Sequence, residues 1–351
     1  MKILHTADIH LQGYQDERWQ SLLELIRVGR QHQIDAFLIC GDLFNQGINA
    51  EDLRPRIREV FSGNDFKVII IPGNHDIDSF KRGMYFGEDV HILDKSPFIY
   101  EDVRITGLPF ERIGGEELIN KIRGLDEILT NDKKNILMCH GELLDTFFSG
   151  SDYGAEDTAR YMPFKLSYFD NLNIDYVLAG HFHSRFNVRR LNNDGYFVYP
   201  GSPVSITRGE MGRRKVNIFE VGGPPQEYGL DTPHYEAFNL ELNPFTGDNL
   251  FEIVRDSLAQ LHPLARVIVN IGGYIDGSRL QMSETHIIDT IKEIVRGRCI
   301  EDNYDFRDIS HILENDLFTG FCEKLADSGY SEEKNEQLQK MVIQAMMDTG
   351  L

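Results

Sequence analysis

Five times before residue 185, a short apolar run stops abruptly at a group of Asp, His, Asn and Gly. The runs occupy residues 2–7, 36–40, 67–71, 135–139 and 176–179, and Val, Ile and Leu dominate them with little polar alternation. That texture predicts strands buried on both faces. Helical patterns lie between them. Trp19, Leu22, Leu23 and Ile26 fall at i, i+3, i+4 and i+7, and Leu118, Ile119, Ile122, Leu125 and Ile128 form a second apolar stripe. Strands alternating with helices predict a layered α/β domain, in which ligands collect beyond the carboxyl ends of the strands. The polar groups sit at those ends.

The texture changes after residue 185. Residues 186–191 and 196–199 flank an Asn-Asn-Asp-Gly turn and read as a β-hairpin, and residues 215–221 make one more strand. Gly222-Gly223-Pro224-Pro225, followed by Gly229 and Pro233, reads as a linker. Beyond it, the alternation of Phe238, Leu240 and Leu242 predicts a strand. A helix near 247–262, a strand at 265–272 and a helix near 284–295 then predict a small α+β domain. From Ser331 the chain reads as a helix with Leu338, Met341, Val342, Ala345 and Met346 on one face. That face either packs on the chain's own second domain or waits for a partner. The division expected is 1–233, 234–330 and a terminal helix at 331–351.

With 351 residues, 41% of them hydrophobic, the chain is long enough for two domains that need no disulfide staple. Cys40, Cys139, Cys299 and Cys322 stand far apart and read as free thiols of a reducing compartment. The opening MKILHTADIH carries no signal-peptide apolar stretch, and no window reaches 18 continuous apolar residues. The expectation is a cytoplasmic protein without a membrane segment. A net charge of -20 would repel nucleic acid, so any such substrate requires a local positive surface.

Five polar clusters end the apolar runs: Asp8-Ile9-His10, Gly41-Asp42, Gly73-Asn74-His75-Asp76, His140-Gly141 and Gly180-His181-Phe182-His183. Singly, each has an ordinary explanation as a cap, a turn or a satisfied structural histidine. As a set at the strand ends of one α/β layer, they point to chemistry. Asp, His and an Asn carbonyl make a mixed oxygen and nitrogen donor set without thiolate, which suits a pair of Mn, Fe or Zn ions better than a structural zinc. Such a pair needs one carboxylate able to bridge and terminal ligands on either side.

In order and composition, the five clusters resemble the motifs DxH, GDxx, GNHD, a single His and GHxH of the calcineurin-like metallophosphoesterases. The resemblance runs over residues 1 to about 221. It implies an α/β/β/α sandwich with a smaller α+β capping domain, and it implies two divalent ions, Mn2+ first. By motif position, Asp8, His10 and His183 would hold one ion and Asn74, His140 and His181 the other, with Asp42 bridging. His75 would act on the scissile phosphate, and Asp76 would orient it. The other seven histidines, His5 among them, are assigned to structure or surface.

Gly41-Asp42-Leu43-Phe44-Asn45-Gln46-Gly47 lacks the Arg of the GDxxDRG motif found in protein serine/threonine phosphatases of this superfamily. The opening KILHTADIHL, the GDLFN, and Tyr199-Pro200-Gly201-Ser202-Pro203 with Gly209-Glu210 look instead like the SbcD and Mre-eleven family of DNA-repair nucleases. That resemblance implies a manganese-dependent 3′-to-5′ exonuclease and endonuclease in double-strand break repair, a homodimer, and an SbcC-type coiled-coil ATPase partner. Residues 185–215 hold seven basic side chains against Asp194 and Glu210, a local +5, whereas residues 236–351 hold 10 basic and 21 acidic. Arg185, Arg189, Arg190, Arg208, Arg213 and Arg214 are therefore the candidate DNA contacts, unless they form only a solvated hairpin face. The alternative function is a phosphodiesterase for a cyclic nucleotide or other small diester, with the second domain as a lid.

Overall fold

Each apolar run predicted as a strand folds as one, because alternate residues of every run have a core to enter on both sides. The computed structural model describes residues 1–80, 84–94, 96–145, 152, 162–245 and 249–350. They divide into two compact units, Met1–Tyr235 and Glu236–Leu351.

In the first unit the strands are β1 (Lys2–Thr6), β2 (Ala36–Cys40), β3 (Lys67–Ile71), β4 (Val90–Ile92), β5 (Phe98–Tyr100), β6 (Val103–Leu108), β7 (Lys134–His140), β8 (Tyr176–Gly180), β9 (Asn187–Arg190), β10 (Tyr196–Tyr199), β11 (Lys215–Glu220) and β12 (Glu227–Gly229). They form two six-stranded sheets, ordered β12-β11-β1-β2-β3-β4 and β5-β6-β7-β8-β10-β9. β1 to β4 are parallel, as are β6, β7, β8 and β10; the antiparallel pairings lie at the margins.

Side-chain alternation sorts each run between two layers. Ile3, Ala7, Leu38, Cys40, Ile69 and Ile71 from one sheet meet Ile136, Met138 and Leu178 from the other in the inter-sheet core. Leu4, Phe37, Ile39, Val68 and Ile70 face outward onto the helices α1 (Glu17–His32) and α2 (Ala50–Phe61). Leu137, Cys139, Val177 and Ala179 face α3 (Gly115–Arg123) on the far side. The result is the expected α/β/β/α sandwich. Asp16 starts α1 by accepting the Trp19 N–H at 2.7 Å, and Gln33 closes it in a left-handed conformation. Of the predicted α1 stripe, Leu23 is exposed and Leu25 takes its place in the core.

The second unit has its own three-stranded sheet, β13 (His234–Leu242), β14 (Ala265–Ile275) and β15 (Cys299–Asp308), in the order β13-β14-β15. Helices α4 (Leu250–Gln260), α5 (Gly277–Leu280), α6 (Glu284–Val295), α7 (Ser310–Leu313), α8 (Asp316–Ala326) and α9 (Glu332–Thr349) accompany it. Leu250, Val254, Leu258, Ile287 and Ile291 pack on Val267, Val269 and Ile271 of β14. Asn249 caps α4; the predicted start at Gly247 lies outside the described residues.

Two expectations are corrected. Gly222-Gly223-Pro224-Pro225 is not a linker but the turn of a hairpin, since β12 folds back antiparallel on β11. The terminal helix buries only part of its predicted stripe: Met346 enters a cluster with Ile309, Ile312 and Phe318 and Val342 packs against it, but Met341 is 68% exposed and Ile343, outside the stripe, is buried in its stead. α7 and α8 supply the other side of that cluster, so the side of α9 that meets them is the one buried. Among the described residues, no helix is long and apolar enough to cross a membrane.

Candidate metal centre

The carboxyl ends of β1, β2 and β3 in one sheet and of β7 and β8 in the other deliver the five clusters to one place. Parallel neighbours keep their loops in step: Asp8 N donates to Gly41 O at 3.1 Å, His10 N to Asp42 O at 2.9 Å, and Gly141 N to Gly180 O at 3.2 Å. The chain is strained there. Asp8, His10, Asp42 and His181 hold φ values of 56, 50, 53 and 95°, a region that costs non-glycine residues on the order of 1–3 kcal/mol each. Strain concentrated on four site residues, all buried, is what a preorganised site exhibits. Glycine is required beside them. A Cβ on Gly73 would stand 2.1 Å from Asp42 Oδ1, and one on Gly41 would stand 2.1 Å from the His140 ring.

Asp42 occupies the middle. Its Oδ2 lies 3.6 Å from His10 Nε2 and 3.3 Å from His140 Nε2, while Oδ1 accepts the His75 N–H at 2.9 Å. On one side, His183 Nε2 lies 3.6 Å from Asp8 Oδ1 and 3.3 Å from His10 Nε2. On the other, His140 directs Nδ1 at the Cys40 carbonyl (2.9 Å) and Nε2 at Asn74 Oδ1 (2.8 Å). Three overlapping sets of donor atoms result: Asp8, His10 and His183; His10, Asp42 and His75; Asp8, Asp42 and His140. His181 stands beside this group, its ring centroid 5.3 Å from that of His140, and its N–H donates to both Asp8 carboxylate oxygens. His75 is half-buried, with its ring 4.8 Å from that of His10.

The electrostatics call for cations. Burial alone would raise the Asp42 carboxyl; the His140, His10 and His75 imidazoles outweigh it and hold it well below the ordinary carboxylate range. Burial likewise opposes charge on His140 and His183, yet Asp42 raises the first to about 9, and Asp8 with Glu210 raises the second to about 10. His10 goes the other way, to about 3, because burial and its charged neighbours His183, His75 and Arg18 outweigh Asp42. Facing imidazoles cannot all be protonated. Asp42 Oδ2 is buried and has no hydrogen-bond partner, and two Nε2 atoms face each other at 3.3 Å. These residues fit divalent ions: oxygen and nitrogen donors converge without thiolate, and the carboxylates demand positive charge.

Asp76 is fully buried and accepts from Gly73 N at 2.7 Å and Phe44 N at 3.1 Å. It ties the loop after β2, which carries Asp42, to the loop after β3, which carries Asn74 and His75. Burial and the Asp42 charge push its carboxyl up to about 7.

The candidate DNA contacts divide. Arg185, Arg189, Arg190 and Arg208 are exposed, and β9 places two of them on the free edge of its sheet. Arg190 lies 4.1 Å over the Tyr196 ring. Arg213 pairs with Asp231 at 2.7 Å, and its neighbour Lys215 with Glu227 at 2.7 Å. Arg214 is a correction: it is 2% exposed and donates to the carbonyls of His183, Ser184 and Ser202, so it cannot meet a phosphate backbone. Sequence reasoning gave no role to Glu210, although its Oε1 lies 3.5 Å from His183 Nδ1. It also passed over Arg18, which donates to the His10 carbonyl at 2.7 Å. Neither contact is signalled by spacing, since both depend on the fold.

A family model described as calcineurin-like phosphoesterase matches residues 1–185. The chain is 28% identical over 242 residues to the DNA double-strand break repair protein Mre11 of Methanocaldococcus jannaschii, a match that covers 60% of this chain and 58% of that protein. It therefore spans well under two thirds of that relative. Among solved structures, it is similar to TT1561 of Thermus thermophilus (TM-score 0.46, 12% identity, 65% of this chain and 98% of that one). A dimetal phosphatase from Danio rerio is similar too (TM-score 0.44, 10% identity, 62% and 91%). The family model takes in more than half of the chain and all five clusters, and so the chain belongs to the calcineurin-like phosphoesterase family and is by class a metal-dependent phosphoesterase hydrolase.

Proposed function

We propose that the protein is a two-metal phosphodiesterase that cleaves DNA, with 3′-to-5′ exonuclease and endonuclease action in double-strand break repair. The observation that carries the two-metal reading is the buried Asp42 carboxylate, with His10 on one side and His140 on the other. Asp8, His10 and His183 would hold one ion and Asn74, His140 and His181 the other, and Asp42 would serve both. Bound there, two divalent ions, Mn2+ first, would act as Lewis acids on the phosphoryl oxygens. His75 is the histidine of this set that is only half-buried, and it is not needed as a ligand. It would hydrogen-bond the scissile phosphate or give a proton to the leaving oxygen. The strained β1 and β2 loops and the Asp76 brace keep these groups in register before substrate arrives.

Support for DNA as substrate comes from the likeness to the Mre11 protein and from the exposed Arg185, Arg189, Arg190 and Arg208. A homodimer, an SbcC-type coiled-coil ATPase partner and a cytoplasmic setting belong to the same reading, with the second unit as the capping domain. One observation favours the small-diester alternative: with Arg214 buried and Arg213 and Lys215 paired, the positive surface is thinner than the sequence count implies. The deciding experiment assays duplex DNA beside bis-p-nitrophenyl phosphate after EDTA treatment, with Mn2+ or Ca2+ restored. Cleavage of both substrates that EDTA abolishes and Mn2+ restores better than Ca2+ is expected. Turnover of the small diester alone selects the alternative, and full activity in EDTA removes the metal reading. Asp42→Ala should lose both ions at once.

A further inference from the structure

Behind the metal centre lies a second layer of polar side chains with almost no exposed surface. Glu210 is fully buried. Its Oε2 accepts from Ser202 Oγ and Ile206 N, each at 2.8 Å, and its Oε1 accepts from Thr207 N at 3.2 Å. Those donors belong to the short segment between β10 and β11, which wraps around the carboxylate. Beyond its own segment, Glu210 addresses His183: Oε1 lies 3.5 Å from Nδ1. Arg214 locks the same place from the other side. Its guanidinium donates to Ser202 O at 3.0 Å, Ser184 O at 2.9 Å and the His183 carbonyl, and it reaches Ser202 Oγ at 3.1 Å. Ser202 N also donates to His183 O, at 3.0 Å.

Burying a carboxylate costs several kcal/mol unless donors and charge compensate it, so its placement against one imidazole nitrogen calls for a purpose. The two His183 nitrogens face different surroundings: Nδ1 faces Glu210, and Nε2 faces Asp8 and His10. A neutral imidazole has one N–H, and an anion at Nδ1 selects the tautomer that carries it there. The Nε2 lone pair then points into the site.

We propose that Glu210, held by Ser202 and Arg214, is a positioning residue that fixes the tautomer and ring orientation of His183 and thereby strengthens metal binding on the Asp8–His10–His183 side. This rests on the reading of His183 as a ligand. It gives a task to residues 201–214 that surface charge does not: the segment docks under the GHFH turn and completes the site from behind. The buried Arg214 belongs to this device and not to a DNA surface.

The test titrates the metal-free full-length chain with Mn2+ alone, by calorimetry and metal analysis, for wild type, Glu210→Gln, Ser202→Ala and His183→Ala. Loss of a partner of this kind weakens metal binding by roughly 10–100-fold. Glu210→Gln should therefore weaken one of the two ions by about that factor and leave the other unchanged. Ser202→Ala, which keeps the carboxylate but removes its link to Arg214, should weaken the same ion less, and it carries the test if Glu210→Gln fails to fold. Proton and nitrogen-15 spectra of the Zn2+-loaded chain, with the His183 signal assigned through His183→Ala, should show a His183 Nδ1–H shifted downfield by the facing carboxylate in wild type and not in Glu210→Gln. Unchanged Mn2+ affinity and an unchanged His183 Nδ1–H signal in these variants would overturn the proposal. If His183→Ala itself retains both ions, the ligand reading beneath the proposal is what fails.

Discussion

His5 offers a stability prediction that does not depend on the metals. It sits on β1 in the inter-sheet register of Ile3 and Ala7, fully buried, paired in register with Leu38 of β2 and Asn217 of β11. Burial drives its pKa from 6.5 down to about 3, and a contact with the Ala179 backbone offsets that only in part. In the unfolded chain His5 takes up a proton near 6.5; in the folded chain it stays neutral. Stability is therefore complete above pH 6.5 and is lost as pH falls from there toward 3. Each pH unit inside that window costs at most about 1.36 kcal/mol, so going from pH 7.5 to 5.5 removes about 1.4 kcal/mol through this one residue. At a urea slope of about 3 kcal/mol per M, that is a midpoint shift of about 0.5 M.

The perturbation is His5→Leu, measured by urea unfolding in EDTA at both pH values. The chain's one tryptophan, Trp19, is 3% exposed within the first unit, so its fluorescence follows that unit's unfolding. Any fixed cost of the substitution, including the lost contact with Ala179, cancels in the double difference. So do the other histidines, His10 among them. Wild type should lose about 1.4 kcal/mol more than the variant between pH 7.5 and 5.5. Parallel pH dependences for the two proteins would refute the reasoning, because His5 would then have to protonate in the folded chain as readily as in the unfolded one.

Three further predictions separate chemistry, DNA binding and stability. His75→Asn should leave the metal content at the wild-type value while cutting turnover by roughly 10²–10⁴-fold, the range for a lost acid–base group; loss of a metal would make His75 a ligand instead. Arg189→Glu with Arg190→Glu should weaken duplex binding and flatten its salt dependence, whereas Arg214→Ala should lower the unfolding midpoint by taking the guanidinium donor from the carbonyls of Ser184 and Ser202. A double mutant with unchanged affinity would remove β9 from the DNA surface.

Much of this protein is legible in its sequence. The strands of the first sheets and the clusters at their ends depend on local alternation and on residues a few positions apart, and periodicity records that directly. The motif order was enough to nominate Asp8, Asp42, His140 and the rest, because each motif is short and complete in itself. Pairings between distant segments were not legible. That Gly222–Pro225 turns a hairpin depends on β12 finding β11. That Ile343 and not Met341 is buried depends on where α7 and α8 stand against α9. Seven basic residues in a row of 31 looked like a phosphate surface, but only the fold decided that Arg214 lies inside, clamping the turn that carries His183, and that Asp231 and Glu227 neutralise Arg213 and Lys215. Glu210 acquired its meaning in the same way, 27 positions from the histidine it faces. Sequence patterns report what each residue meets along its own strand or helix; burial and long-range charge pairing arise only when the sheets stack, and there the physics of desolvation assigns the roles.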